Sequence, residues 1–161
     1  MAAIQMVSGP DVAENLAAAA ELLARAAADG ARLAVLPENF ALMGLREQDK
    51  VTVREVEGEG PIQTFLAEQA ARHRLWLVGG TIPLWTSGDQ HRVRACCPLF
   101  DDRGRRVARY DKVHLFDVRV VGSAERYAES TTIEPGDRYL VADTPLGRLG
   151  LAVCYDLRFP E

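Results

Sequence analysis

The sequence predicts an α/β domain built on a mixed sheet. Three observations point there: helical stripes alternate with short apolar runs in the first half, hairpin signals take over from Val93, and no linker, repeat or shift of composition divides the 161 residues. A chain of this length folded as one domain buries roughly 70% of its unfolded surface. One domain over residues 1–161 is therefore expected, with no disulfide or metal needed to hold it.

Taken in order, "AAIQMV" reads as a strand and Gly9-Pro10 as a turn. Asp11 opens a helix, with Glu14 three residues later as in a capping box. Val12, Leu16, Ala19, Leu23 and Ala27 recur at helical spacing, and Gly30 is placed to end the helix. "RLAVLP" comes next, an apolar run closed by Pro37 and patterned as a strand buried on both faces. Residues 2–36 thus read as a β-α-β unit, and the loop after such a strand sits at its carboxyl end, where open α/β sheets bind ligands. "KVTVREV" is either extended or helical. Pro61 fits a first helical position, Ile62, Phe65, Leu66 and Ala70 form the next stripe, and "LWLVGGTI" reads as the strand after it. Beyond it "RVRACCPLF" and "RRVARYDK" are joined by "DDRG", and "RYLVAD" and "RLGLAVCYD" by "TPLG", which gives two hairpins. The stretch from Val113 to Arg138 has little periodicity, and so long a loop in a compact domain is either functional or misassigned.

Composition narrows the function classes. With 48% hydrophobic and 26% charged residues the chain is ordinary for an ordered globular protein. A net charge of -4, and a basic run "DDRGRRVARYDK" interleaved with aspartates, give no attraction to phosphate backbones, so nucleic acid is not an expected partner. Neither a signal-peptide pattern nor an apolar run of membrane-spanning length is present, which predicts a cytoplasmic protein with no membrane partner. The three cysteines, two of them adjacent at Cys96 and Cys97, do not form a spaced disulfide framework and are expected as reduced thiols. Cys96 and Cys97 lie in one strand and point to opposite faces. His73, His91 and His114 are scattered and no metal-ligand spacing occurs, so no metal is expected.

Three residues invite a chemical reading. Cys154 ends the run "LGLAV", where the chain should leave the sheet through a turn into a helix with Pro160 in its first turn. Such a corner presents a nucleophile and aims backbone N–H groups at a carbonyl oxygen. Cysteine is equally at home as a small buried hydrophobe. Glu38, just past a doubly buried strand, is placed for partial desolvation and a raised pKa, useful in a proton acceptor; a solvated loop glutamate is the ordinary alternative. Lys112 comes after a hairpin strand, where it either stabilises an oxyanion or snorkels to water. Asp156, Arg158 and Glu161 read as solvated charges near a turn, without a catalytic role.

Together, "LPENF", "YDKVHLFD" and "GLAVCYDLRFPE" resemble the nitrilase, or carbon–nitrogen hydrolase, superfamily, and the surrounding sequence looks most like the branch of omega-amidases and deaminated glutathione amidases. The resemblance implies subunits that are α-β-β-α sandwiches with mixed sheets, paired in a homodimer. It implies a Glu–Lys–Cys triad, with Glu38 as proton acceptor, Lys112 stabilising the oxyanion and Cys154 as nucleophile. A second family glutamate matches Glu129 in "RYAESTTIEPGD", and Val121 stands where close relatives would carry proline. The implied reaction is hydrolysis of a non-peptide C–N bond in a small carboxylated amide, through a cysteine thioester, with release of ammonia and no cofactor. The thiol, with an ordinary pKa near 8.5, needs a base, and the backbone N–H of Tyr155 is a second oxyanion donor. An assembled site is expected to show a depressed Cys154 pKa.

Two other readings compete. A cysteine–histidine hydrolase would use His114 as base, oriented by Asp117. A remnant or interaction module would keep the motifs without turnover. The resemblance covers a little over half of a usual family member, which predicts a partial, C-terminally incomplete domain that is marginal or self-associating.

Overall fold

A computed structural model describes residues 1–86, 88–119, 121–122 and 125–160; Glu161 lies outside the described residues. The chain begins with β1 (Ala2–Ala3), shorter than "AAIQMV" suggested, whose ladder to β2 (Leu33–Val35) is parallel. Between them runs α1 (Val12–Ala28), capped by the Asp11 side chain, which accepts from Glu14 N at 3.0 Å. Gly30, at φ +82, takes the left-handed conformation that ends it. The helix also buries Asn15, whose side chain binds both the N–H and C=O of Gly9 and the carbonyl of Ala41. That polar clamp ties α1 to the loop after β2.

"KVTVREV" resolves as one short helical turn, α2 (Asp49–Thr52), then a bridge from Glu55 to Leu84. In α3 (Pro61–His73) proline is indeed in the first turn, and the free N–H groups of Ile62 and Gln63 are capped by the buried carboxylate of Glu55, at 2.5 and 3.1 Å. "LWLVGGTI" is not one strand. It divides into β3 (Trp76–Val78) and β4 (Ile82–Trp85), both antiparallel to the long β5 (Val93–Phe100), with the break at Gly79-Gly80. The expected hairpin of β5 and β6 (Arg106–Asp111) closes the far edge of the sheet.

β5 shows how two faces are filled. Cys96 and Phe100 point toward α1 and α3, with Ala34, Leu36 and Leu77, while Cys97 and Leu99 point the other way, with Leu33 and Val78. That second face is covered by the hairpin of β9 (Leu140–Thr144) and β10 (Gly147–Leu151). The described residues thus give helix, sheet and second sheet, three layers of the expected α-β-β-α sandwich. Residues 113–138, aperiodic in sequence, hold a small hairpin of β7 (Asp117–Arg119) and β8 (Arg126–Ala128) and a 3-10 turn over Glu129–Thr131. Among the described residues, no helix is long and apolar enough to cross a membrane.

Candidate active site

β10 stops at Leu151, Val153 is still extended, and Cys154 then takes φ +51, a left-handed conformation that costs a non-glycine residue energy. A 3-10 turn over Cys154–Arg158 comes next. It ends at Arg158, and Phe159, the residue preceding Pro160, has the extended backbone that such a residue favours. The corner is fixed by Asp156, whose N–H donates to Val153 O at 3.1 Å and whose carboxylate accepts from Val153 N at 2.8 Å. Cys154 is exposed, whereas Cys96 and Cys97 are buried thiols. Burial pushes the Cys97 pKa up to about 12.

Glu38 lies just after β2 in a loop that cannot move freely. Asn39, at φ +56, donates its N–H to Thr81 Oγ1 at 2.8 Å, and Ser8 Oγ donates to Phe40 O at 2.9 Å. Gly80 packs against the same loop so closely that a Cβ there would sit 2.1 Å from Pro37 O. Lys112 leaves the end of β6 with its side chain only 1% exposed. Its Nζ donates to Glu38 Oε1 at 3.0 Å and to both Glu129 oxygens at 2.9 Å. Glu129 in turn accepts from Phe116 N at 2.7 Å. Burial disfavours the Lys112 ammonium, but the hydrogen bonds and charges of Glu129 and Glu38 more than compensate, so its pKa lies above the ordinary value. The lysine is a buried cation, not a snorkelling one.

These four residues line one open cleft of about 280 Å³, with Asn39, Phe116 and Tyr127. The Cys154 pKa is raised, not depressed as expected: burial comes first, then the charge of Glu38, and Lys112 only partly offsets them. The shift favours the thiol over the thiolate, with Glu38 as the neighbouring carboxylate. A larger polar cavity of about 480 Å³ lies around Trp85, Arg94 and Arg109. No thiol lines it, and its arginines Arg94, Arg109 and Arg138 are already paired with Glu134, with Glu57 and Asp111, and with Asp137.

His114 is not among the residues that line the cleft. Its Nδ1 lies 2.9 Å from Asp156 Oδ1, and its ring stacks on Phe159 with centroids 3.7 Å apart. Asp117 does not orient it; that carboxylate accepts from Ser130 N at 3.0 Å. Asp156, expected to be solvated, is instead 7% exposed and also accepts from Tyr110 OH at 2.6 Å and His114 N at 2.9 Å. Sequence reading missed Asp156 and the cleft residues Lys50 and Arg126, because nothing in local spacing marks which surface charges converge. The described residues contain no cluster suited to a metal ion.

A family model described as carbon-nitrogen hydrolase matches residues 1–161. A deaminated glutathione amidase of Yersinia enterocolitica is 38% identical over 160 residues, covering 99% of this chain and 55% of the relative. Omega-amidase NIT2 of Homo sapiens is 34% identical over 161 residues, covering 100% of this chain and 56% of the relative. The crystal structure of the C. elegans NitFhit protein superposes with a TM-score of 0.85 at 31% identity, covering 98% of this chain and 38% of that one. The chain spans little more than half the length of the curated relatives it matches.

Proposed function

Because this chain belongs to the carbon–nitrogen hydrolase family, we propose that the cleft hydrolyses the amide of a small carboxylated substrate, with Cys154 as nucleophile and Glu38 as general base. The observation that carries this reading is the exposed Cys154 thiol in one cleft with Glu38 and with the buried Lys112 ammonium held between two carboxylates.

In the first step Sγ attacks the amide carbon while its proton passes to Glu38, the neighbouring carboxylate. Negative charge develops on the carbonyl oxygen. Lys112 has three N–H groups and three carboxylate oxygens accept from them, so the carbonyl oxygen takes one by displacing one of the two Glu129 oxygens. The backbone N–H of Tyr155, next to the left-handed nucleophile, is the second donor. As the C–N bond breaks, Glu38 returns its proton to the leaving nitrogen and ammonia departs from a thioester. Water, deprotonated by Glu38, attacks the thioester carbon, and the proton goes back to the thiolate as the acid is released. Glu129 touches no reacting atom in this scheme and keeps Lys112 charged and aimed.

The names of the relatives suggest the substrates to try: the ω-amides of 2-oxo dicarboxylic acids and deaminated glutathione. Ammonia release is the readout. Cys154→Ser should lose essentially all turnover, and Glu38→Gln should lower kcat by about 10²–10⁴-fold, whereas His114→Ala should retain the reaction. Loss at His114 with survival at Glu38 would support the cysteine–histidine scheme instead. No ammonia from any of these amides would leave a module without turnover.

A further inference from the structure

Tyr155 N–H precedes the first internal bond of the turn over Cys154–Arg158, from Asp156 N to Val153 O, so it has no partner within that turn. Its direction depends on what holds the residue itself. Two rings grip the Tyr155 side chain edge-on: Phe116 at 5.1 Å and Phe159 at 5.4 Å between centroids, with interplanar angles of 82° and 84°. Phe116 is anchored through its own N–H, which donates to Glu129 Oε2 at 2.7 Å. Phe159, the other jaw, is 38% exposed and is not held by a strand. What lies against its face is His114, 3.7 Å away and 6° from parallel.

His114 is fixed in turn. The Asp156 carboxylate can only accept, so the His114 nitrogen 2.9 Å from its Oδ1 is the protonated one, and that bond sets the plane of the imidazole. The tie between this segment and the Cys154 corner is already made by His114 N, which donates to the same oxygen at 2.9 Å. The ring is thus spare for a second task, the orientation of Phe159.

We propose that His114 is a positioning residue: through Phe159 it holds Tyr155 so that the Tyr155 N–H points at the oxygen that becomes negative when Cys154 attacks a carbonyl. The inference rests on the hydrolase reading and adds to it a residue outside the cleft. His114 touches no reacting atom and moves no proton, which separates this role from that of a general base. Removing one oxyanion donor costs other enzymes about 10²–10³-fold in rate, and a misaimed donor keeps part of that. His114→Ala therefore keeps the reaction but slows it.

Two reactions of Cys154 separate aim from shape. Acylation by p-nitrophenyl acetate forms the Sγ–C bond through a tetrahedral oxyanion and then expels p-nitrophenolate, the thiol proton passing to Glu38. Alkylation by iodoacetamide displaces iodide and develops no oxyanion. Both rates are measured on the full chain by mass spectrometry. The ratio of acylation to alkylation should fall about ten-fold in His114→Ala and in Phe159→Ala, and no further in the double variant, because both residues act along one path. An unchanged ratio in His114→Ala overturns the proposal, even if both rates fall together, since the ring then serves only the shape of the corner. Additive falls in the double variant overturn the route through Phe159. A wild-type ratio no higher than that of the denatured chain means that no donor is aimed there, and overturns it too. The expected falls, with no ammonia released from any ω-amide by the wild type, sustain the positioning role and refute the hydrolase reading alone.

Discussion

Asp156 receives four hydrogen bonds on one carboxylate, and their arrangement joins the two halves of the site. Oδ2 accepts from Tyr110 OH and Val153 N, and Oδ1 from His114 N and lies against His114 Nδ1. The residue thus ties the segment carrying Lys112 to the corner carrying Cys154. Burial alone would raise its pKa; the donors Tyr110, Val153 and His114 outweigh that and hold the carboxyl below its ordinary value. In Asp156→Asn one of the two backbone N–H groups must face an amide NH₂, since each oxygen already serves one of them. A buried donor facing a donor costs about 2–3 kcal/mol. We expect that loss in urea unfolding, together with a slowing of Cys154 alkylation relative to the denatured chain. Stability within about 0.5 kcal/mol of wild type, the usual range for a surface substitution, would contradict this account of the corner.

At the scale of elements, the two long helices were legible and the breaks were not. Asp11, Pro61 and Gly30 act within one turn of their own helices, so sequence spacing suffices to find them. The cap of α3 comes from Glu55, outside the helix, and only the returned chain at the Glu55–Leu84 bridge brings it there. The hairpin within 113–138 has no apolar alternation to reveal it, being held by Glu129 to Phe116 and Asp117 to Ser130. The split of "LWLVGGTI" has a different cause: Gly80 adopts φ +58 where β4 begins to pass under the Glu38 loop. Alanine there pays the left-handed penalty of about 1 kcal/mol, and its Cβ would meet Pro37 O at 2.1 Å, so backbone must move. Gly80→Ala should therefore destabilise the fold by about 2–4 kcal/mol and displace Glu38 from Lys112. Circular dichroism melts report the first effect. The second appears as a kcat loss persisting at temperatures where the variant is fully folded; wild-type kcat there would exclude the proposed strut.

For the whole molecule, the site lies where three chain segments leave the layered sheets: after β2 for Glu38, after β6 for Lys112, and after β10 for Cys154. Their convergence was readable only through the resemblance of three motifs, because sequence spacing carries no information on which strand ends are neighbours. The same layering sets the pH limits of the fold. On the acid side, hydrogen bonds from Ser130 lower the pKa of Asp117, while for buried Asp101 and Asp156 such bonds overcome the cost of burial. A lowered carboxylate pKa contributes stability that is fully present above the unfolded value of about 3.9 and disappears as pH falls through the folded one. On the alkaline side, burial raises the thiols of Cys96 and Cys97 and the phenol of Tyr110, and Lys112 is raised by its carboxylates against the cost of burial. A raised pKa has the opposite sign: its contribution is complete below the unfolded value and is lost as pH climbs toward the folded one. Unfolded thiols begin to ionise near pH 8.5, tyrosine near 10 and lysine near 10.4. Urea-unfolding free energy should therefore be level from about pH 5 to 8, fall below about pH 4, and fall again from about pH 8.5 in steps that begin with the cysteines. The alkaline limb is the more telling of the two, because Cys96 and Cys97 are buried on opposite faces of β5 and neither layer can admit a thiolate without opening. A free energy that stays constant from about pH 8 to 11 would mean that both faces are open to water, and with them the packing that aligns the three strand ends.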